Sequence, residues 1–137
     1  MIFNFKYLED VNLLVKYKKL NEKIAMGLLS FTPREHDLQT LQNSMDRYTE
    51  DPNWQLYLWK QDEDLVGVIG IELDELTFTV HHATVNPSFR NEGIGQQMIE
   101  RVQQLHETLA MCSTHETKDF LEKCWANQYP LKESLEK

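Results

Sequence analysis

The sequence predicts an α+β (mixed α/β) fold built around one sheet, and three observations support this prediction. Residues 54–85 contain three strand-like runs separated by short acidic turns, which is typical of an antiparallel meander. Residues 77–113 then read as strand, glycine-bearing loop, helix and strand, a crossover unit whose two strands are expected to be parallel. Apolar residues at helical spacing flank the meander. A chain of 137 residues with 41% hydrophobic content suits one domain over residues 1–137.

The first third of the chain predicts one strand and two helices. Residues 13–17 have β character, and residues 22–29 carry apolar side chains at helical spacing. A capping box over residues 32–35, with Pro33 at the first helical position, predicts the start of the second helix. We expect this helix to end at residues 51–53, and its apolar stripe consists of Leu38, Leu41, Met45 and Tyr48.

The rest of the chain predicts four strands and two helices. Strands are expected at residues 54–60, 65–73 and 77–85, and the second of them is apolar on both faces, as central strands are. A loop and a helix follow, and the apolar face of that helix comprises Ile94, Met98, Ile99, Val102 and Leu105. We then expect a short strand over residues 109–113, parallel to 77–85, and a last helix over 117–125 with Phe120, Leu121 and Cys124 inward.

Composition argues against several classes of function. The net charge is −8 and no basic cluster is longer than residues 16–19, so we expect no nucleic-acid partner. No run approaches the roughly 20 apolar residues of a membrane span, and the N-terminus does not have the pattern of a signal peptide. Cys112 and Cys124 lack metal-ligand spacing, which predicts no metal site and reduced thiols in a cytoplasmic protein.

The loop that opens into the helix at residue 94 carries the strongest chemical signal. The first turn of a helix has unpaired backbone N–H groups and a partial positive charge, so it binds anionic oxygens. Gly93 and Gly95 let the backbone approach a phosphate closely, and Arg90 adds a cation suited to phosphate. Gly-x-Gly alone also fits an ordinary strand–helix turn. The loop lacks the third glycine of a dinucleotide fingerprint and the Gly-Lys-Ser/Thr of a P-loop.

The longer segment over residues 85–98 resembles the acetyl-coenzyme A signature of the GNAT superfamily of N-acetyltransferases. That signature is Val-x-Pro-x-aromatic-Arg-x-x-Gly-x-Gly followed by an amphipathic helix, and every defined position matches. The family's order of helices and strands covers most of residues 13–125. More narrowly, residues 22–31 resemble the acetyltransferase-like proteins encoded in bacterial riboflavin operons.

This resemblance implies an acetyl-coenzyme A-dependent N-acetyltransferase, with helices on both faces of the sheet and a splayed parallel strand pair. The acceptor would be an amine of a small molecule or a protein, and the narrower resemblance implies a link to riboflavin metabolism. The backbone of Ala83, Thr84 and Val85 would bind the pantetheine amides. The residues expected around the diphosphate are Arg90, Asn91, Glu92, Gly93, Ile94, Gly95 and Gln96.

The resemblance also implies a catalytic base on the strand before the loop, because an ammonium has no lone pair with which to attack a thioester. Thr79 occupies the position where the family usually has Glu, and His81 lies two residues later on the same nominal face. His82 is the alternative if a bulge exchanges the two, and in a regular pleat it would point to the opposite face. Either histidine could instead form structural hydrogen bonds within the sheet.

Two departures from the family pattern concern the C-terminal part of the chain. Leu121 stands where the family usually has a general-acid Tyr, for which Tyr129 or a water could substitute. The family usually adds two strands after the last helix, and here the C-terminus is shortened. We therefore expect a homodimer, or the tail over residues 129–137, to cover the edge of strand 109–113. These departures keep a second hypothesis open, a non-catalytic acyl-coenzyme A-binding protein with a regulatory or partner-binding role.

Overall fold

The computed structural model describes residues 12–32 and 37–128, and it confirms the α+β class. The elements in chain order are β1 (Asn12–Lys16), a 3-10 turn (Lys19–Asn21), α1 (Glu22–Leu29), α2 (Leu38–Glu50), β2 (Trp54–Gln61), β3 (Asp64–Leu73), β4 (Thr77–Val85), a second 3-10 turn (Pro87–Phe89), α3 (Ile94–Leu105), β5 (Ala110–Ser113) and α4 (Lys118–Gln128). That all 137 residues form one domain stays a prediction.

The five strands form one sheet in the order β1-β2-β3-β4-β5. The first four strands pair antiparallel, whereas β5 pairs parallel to β4 through the α3 crossover. The central position predicted for the second strand of the meander is confirmed, since β3 lies in the middle and residues 66–71 are buried. Burial on both faces explains why this strand is apolar throughout.

Helices cover both faces of the sheet, and each face has its own core. On one face α3 and α4 pack on the strands through Ile94, Met98, Ile99, Val102, Leu121 and Cys124. On the other face α1 and α2 pack through Ala25, Leu28, Leu29, Met45 and Tyr48. Most residues of the apolar stripes predicted for the helices are buried or partly buried; the exposed exceptions are Ile24 in α1, Leu38 at the start of α2 and Leu105 at the end of α3.

A bulge interrupts β4 at the two histidines. Gly70 pairs with His82 and Ile71 pairs with Val80, so His81 is an extra residue in the ladder. Such an insertion reverses the alternation of side chains along the bulged strand. Val80 and Ala83 accordingly both belong to the core on the α3–α4 face. The pleat of β4 is therefore not regular at the histidines, and His81 and His82 contact Trp54 and Tyr48, respectively, of the α1–α2 face.

The parallel strands β4 and β5 separate after four residue pairs. The register runs from Thr77 with Ala110 to Val80 with Ser113, and β4 continues to Val85 beyond the end of β5. The buried hydroxyl of Thr117 donates a hydrogen bond of 2.7 Å to the Val80 carbonyl, in the place that a further β5 residue would occupy. The predicted splay is present, and Thr117 fixes its closed end.

The start of α2 differs from the prediction. The helix begins at Leu38, and the Asp37 carboxylate accepts a hydrogen bond of 2.8 Å from the Thr40 amide. The Thr32 hydroxyl, expected to cap this helix, donates to the Leu29 carbonyl at the end of α1. The other residues of the predicted capping box lie outside the described ranges. A capping pattern in sequence does not specify which of two adjacent helix ends its hydroxyl will bind.

Candidate functional site

An open cleft of about 590 Å³ lies where β4 and β5 separate. Its walls come from the end of β4, the following loop with the first turn of α3, one side of α4, and the end of α1. The lining residues are Phe31, Thr32, Ala83, Thr84, Val85, Phe89, Arg90, Asn91, Gly93, Ile94, Gly95, Gln96, Glu116, Asp119, Phe120, Lys123 and Cys124. Residues from both faces of the sheet therefore line the cleft.

The first turn of α3 forms one end of the cleft. Gly93 is the N-cap residue and has a left-handed φ of 79°, which residues with a Cβ rarely adopt. Within the helix the first amide with an acceptor is that of Gln97, which donates to the Gly93 carbonyl at 3.1 Å. The amides of Ile94, Gly95 and Gln96 therefore precede the helical ladder and point out of its end. This arrangement, with the helix dipole behind it, is suited to an anion.

Charged side chains of both signs line the cleft. The Arg90 Nε donates a hydrogen bond of 3.0 Å to the Val85 carbonyl, so this guanidinium is held beside the end of β4. Lys123 adds a second cation from α4, and Glu116 and Asp119 add two carboxylates. Side-chain charge alone does not make the cleft positive, so the oriented amides of the α3 N-terminus are its distinctive anion-binding feature.

The structure brings nearly all of the predicted cofactor-binding residues together. Glu92 is the exception, since it does not line the cleft and its carboxylate accepts a hydrogen bond of 3.2 Å from the Gln61 side-chain amide. The sequence alone did not predict that Phe31, Thr32 or Lys123 lines the cleft. Each comes from an element distant in sequence from the signature, and its place in the wall depends on how α1 and α4 pack on the sheet.

His81 and His82 lie along β4 between Val80, the last residue paired with β5, and Ala83, and neither histidine is among the residues that line the cleft. His81 leans over β3 and β2: its Nε2 lies 2.9 Å from Oε1 of Glu72, and its ring stacks on Trp54 with centroids 4.2 Å apart. The Arg47 guanidinium lies 4.7 Å from the centroid of the same indole. His81 is thus held by a carboxylate and an aromatic ring.

His82 contacts a different partner on the same face. Its Nδ1 lies 2.6 Å from the hydroxyl oxygen of Tyr48, which α2 supplies. Tyr48 is 7% exposed and packs edge-on against Trp54. The hydroxyl rests directly over Gly70, the β3 residue that pairs with His82, and a Cβ there would overlap it. His82 and Tyr48 are therefore joined across the α2–sheet interface.

The position where a tyrosine acid was expected is filled by the buried side chain of Leu121, which is part of the core beneath the cleft. Tyr129, named as a substitute, lies outside the described residues. Cys124 lines the cleft, and burial raises the pKa of its thiol to about 11. Both cysteines are free, and Cys112 is exposed on β5. Candidates for proton transfer near the cleft include the two histidines and the lining carboxylates of Glu116 and Asp119.

The described part of the chain contains neither a candidate metal cluster nor a candidate membrane-spanning helix. No cluster of three or more His, Cys, Asp or Glu side chains in this part of the chain could hold a metal ion. No helix among the described elements has the length and apolar character needed to cross a bilayer.

Comparison with known proteins yields one family. The profile of the acetyltransferase (GNAT) domain family matches residues 21–122. A protein of Bacillus methanolicus, described as an uncharacterized N-acetyltransferase in the lysA 3′ region, is 43% identical over 113 residues, which cover 82% of this chain and 94% of that protein.

Solved acetyltransferase structures share the fold. The aminoglycoside N-acetyltransferase AAC(6′)-Iy in complex with coenzyme A superposes with a TM-score of 0.68 at 15% identity, covering 85% of both chains. A GNAT family acetyltransferase from Elizabethkingia anophelis with acetyl-coenzyme A bound gives a TM-score of 0.56 at 19% identity, covering 72% of this chain and 59% of the other.

Proposed function

Because the chain belongs to the GNAT family of acetyltransferases, we propose that it transfers the acetyl group of acetyl-coenzyme A to an amine. The observation that carries the proposal is the cleft between β4 and β5, which ends on the N-terminus of α3. A cleft of this form would suit a ligand that has an anionic group at one end and an extended polar arm. The anionic group would lie at the α3 N-terminus, and the arm would lie along the unpaired edge of β4. Coenzyme A has both parts.

The cofactor would bind mainly through backbone groups. The diphosphate would accept hydrogen bonds from the amides of Ile94, Gly95 and Gln96, with Arg90 beside it. Hydrogen bonds to charged groups contribute about 1.5–3 kcal/mol each, so a few of them suffice to anchor a diphosphate. The pantetheine arm would lie along residues 83–85 of β4, where β5 no longer pairs. This placement directs the thioester toward the closed end of the splay.

Transfer of the acetyl group needs a proton acceptor near the thioester. The amine nitrogen attacks the carbonyl carbon, the C–S bond breaks, and the thiolate of coenzyme A leaves. We propose His82 as the base that takes the proton from the amine, because it directly precedes Ala83, which lines the cleft. His81 is the alternative base, and its contacts with Glu72 and Trp54 support instead a role in shaping the acceptor side.

The acceptor would approach from the α1–α2 face, since the opposite face is closed by the core beneath α3 and α4. Glu72 presents a half-exposed carboxylate on that face, next to the indole of Trp54. The Glu72 carboxylate has the charge that attracts a cationic amine, whereas His81 and Arg47 already lie against the indole ring. The narrower resemblance to riboflavin-operon proteins makes amine-bearing flavin precursors part of this proposal, together with polyamines and amino acids.

Incubation with acetyl-coenzyme A and a panel of those amines tests the proposal, with the acetylated product identified by mass spectrometry. We expect transfer to at least one amine class. Removing a general base typically costs roughly a hundred- to ten-thousandfold in rate, so His82→Ala should lose that much turnover and His81→Ala much less. Tight binding of coenzyme A without transfer to any amine would support a non-catalytic binding protein, the function that Leu121 at the usual tyrosine position favours. Equal losses in both variants would contradict the assignment of His82.

A further inference from the structure

We propose that Lys123 of α4 is a binding residue for a phosphate group of the acyl-coenzyme A, supplied from outside the signature over residues 85–98. This inference deepens the proposed function and rests on it for the identity of the ligand. Its test measures binding alone, so the inference can hold or fail separately from acetyl transfer to an amine.

One face of α4 forms a wall of the cleft. The residues of this helix that line the cleft are Asp119, Phe120, Lys123 and Cys124. Side chains three and four positions apart lie on the same side of a helix, so these residues form one continuous strip. Lys123 is exposed, and its ammonium is carried on a flexible four-carbon stem that can reach a ligand in the cleft.

Phe120 holds this face of α4 against the first turn of α3. A Cβ on Gly95 would lie only 2.9 Å from Cζ of Phe120, closer than real Cβ contacts come. The ring therefore occupies the space that a side chain at residue 95 would need, beside an amide that precedes the helical ladder. Lys123 follows Phe120 by three residues, roughly 4.5 Å along the helix axis, so it lies within one turn of this contact.

The charges on this face are ordered along α4. The helix starts beside the closed end of the splay, where the Thr117 hydroxyl binds the Val80 carbonyl. An α-helix rises by about 1.5 Å per residue, so Asp119 lies roughly 3 Å and Lys123 roughly 9 Å along the axis from Thr117. The carboxylate is therefore nearer the expected thioester, and the ammonium is farther out, where the phosphates are expected.

The charge balance of the cleft depends on Lys123. The charged side chains that line it are those of Glu116, Asp119, Arg90 and Lys123. Without the ammonium of Lys123, the carboxylates would outnumber the cations, which disfavours an anionic ligand. Burial raises the pKa of the neighbouring Cys124 thiol, and the positive charge of Lys123 opposes part of that rise, so this charge acts on the wall of the cleft.

Calorimetry at low and high ionic strength tests the proposal with two ligands, coenzyme A and dephospho-coenzyme A, which lacks the 3′-phosphate. Lys123→Gln removes the positive charge, and Lys123→Arg keeps it. The matched control is Lys118→Gln, because Lys118 is an exposed residue of the same helix that does not line the cleft, and the change in net charge is the same. Urea unfolding of each variant confirms that it is folded.

We expect Lys123→Gln to weaken coenzyme A binding about tenfold at low salt, the effect of losing one hydrogen bond between charged groups. The loss should shrink at high salt, because salt screens exposed charges. Lys123→Arg and Lys118→Gln should stay within about twofold of the wild type. An equal loss for dephospho-coenzyme A would assign the ammonium to the diphosphate, and a loss confined to coenzyme A would assign it to the 3′-phosphate.

Three results would overturn the inference: an affinity of Lys123→Gln within about twofold of the wild type, a loss that is unchanged at high salt, or an equal loss in Lys118→Gln. If coenzyme A binding depends on Lys123 as expected but no amine is acetylated, the proposed transfer fails and the phosphate contact stands. If an amine is acetylated while Lys123→Gln binds coenzyme A like the wild type, the phosphate contact fails and the proposed function stands. Absence of coenzyme A binding to the wild type would contradict both.

Discussion

At the scale of single residues, the left-handed φ of 79° at Gly93 sets the direction of the first α3 amides. We predict that Gly93→Val abolishes the rise in melting temperature that acetyl-coenzyme A produces, because the new side chain changes the loop that presents those amides. Sequence alone predicts little loss of stability for this variant. The positive φ now predicts a cost of about 1–3 kcal/mol, the usual strain of such a conformation for a residue with a Cβ. Thermal unfolding with and without ligand measures both effects.

A control separates strain from loss of the site. Asp62 also has a positive φ, 56°, in the turn between β2 and β3, and it does not line the cleft. Asp62→Val places a β-branched residue at a left-handed position, so it should lose stability, by less than Gly93→Val since Asp62 already has a Cβ, and keep the full ligand-induced shift. If both variants lose the shift, general destabilisation explains the result and Gly93 has no specific role.

A second prediction for a single residue concerns His106, which should make the free energy of unfolding depend on pH. Burial lowers the pKa of His106 below its ordinary value of 6.5. As the pH falls through 6.5 toward the lower folded pKa, the unfolded chain binds the proton more readily, so the free energy of unfolding decreases. Above that window both states are neutral and the effect is absent. His106→Gln should therefore lose less stability than the wild type in urea unfolding between about pH 7.5 and about pH 5.5; an equal loss would contradict this.

The sequence predicted most residues that line the cleft next to the signature, but it did not predict the side chains that contact the two histidines. Arg90, Gly93 and their neighbours were predictable because they form one contiguous segment with a recognisable spacing. Tyr48 and Glu72 were not, because their contacts with the histidines depend on the bulge in β4 and on the packing of α2. An alternating pattern in sequence gives no sign of one extra residue in a strand.

At the scale of elements, the closed end of the splay depends on Thr117. Its buried hydroxyl is the hydrogen-bond donor to the Val80 carbonyl and also accepts from the Thr114 amide at 2.9 Å. We predict that Thr117→Val, which keeps the shape of the side chain, costs about 1–3 kcal/mol because buried polar groups lose their partner. Denaturant unfolding measures this cost.

Thr49 offers a matched control for that substitution. Thr49 is exposed on α2, and its hydroxyl donates to the Met45 carbonyl at 2.9 Å. Thr49→Val should change the free energy of unfolding by less than about 0.5 kcal/mol, as exposed substitutions usually do. A similar loss in the free energy of unfolding for Thr117→Val and Thr49→Val would contradict a specific stabilising role for the Thr117 hydroxyl.

Most element boundaries were predictable, and the exceptions are the start of α2 and the end of α4, which runs to Gln128 where residue 125 was expected. The strands and α1 lie within one residue of their predicted ends, because hydrophobic periodicity and acidic turns mark them clearly. The start of α2 was misplaced by five residues: Thr32 satisfies a carbonyl of α1, and Asp37 caps α2 instead. Competing caps of similar chemistry are distinguished only by the folded geometry.

At the scale of the whole molecule, the edge of β5 predicts association. Among the described residues β5 pairs with β4 alone, and Ala110, Cys112 and Ser113 are exposed. Proteins usually cover such edges, so we predict a homodimer in light scattering, or a monomer that associates once residues 129–137 are removed. Monomers in both experiments, together with fast amide exchange throughout β5, would contradict this.

The most direct test of the account is an amide NMR titration of the wild-type protein with coenzyme A. The titration tests whether coenzyme A binds in the cleft where β4 and β5 separate. We expect the largest shifts at the amides of residues 83–85 and of Ile94, Gly95 and Gln96, with little change in β1 or α2. Absence of shifts at millimolar ligand, or shifts centred elsewhere on the sheet, would contradict it.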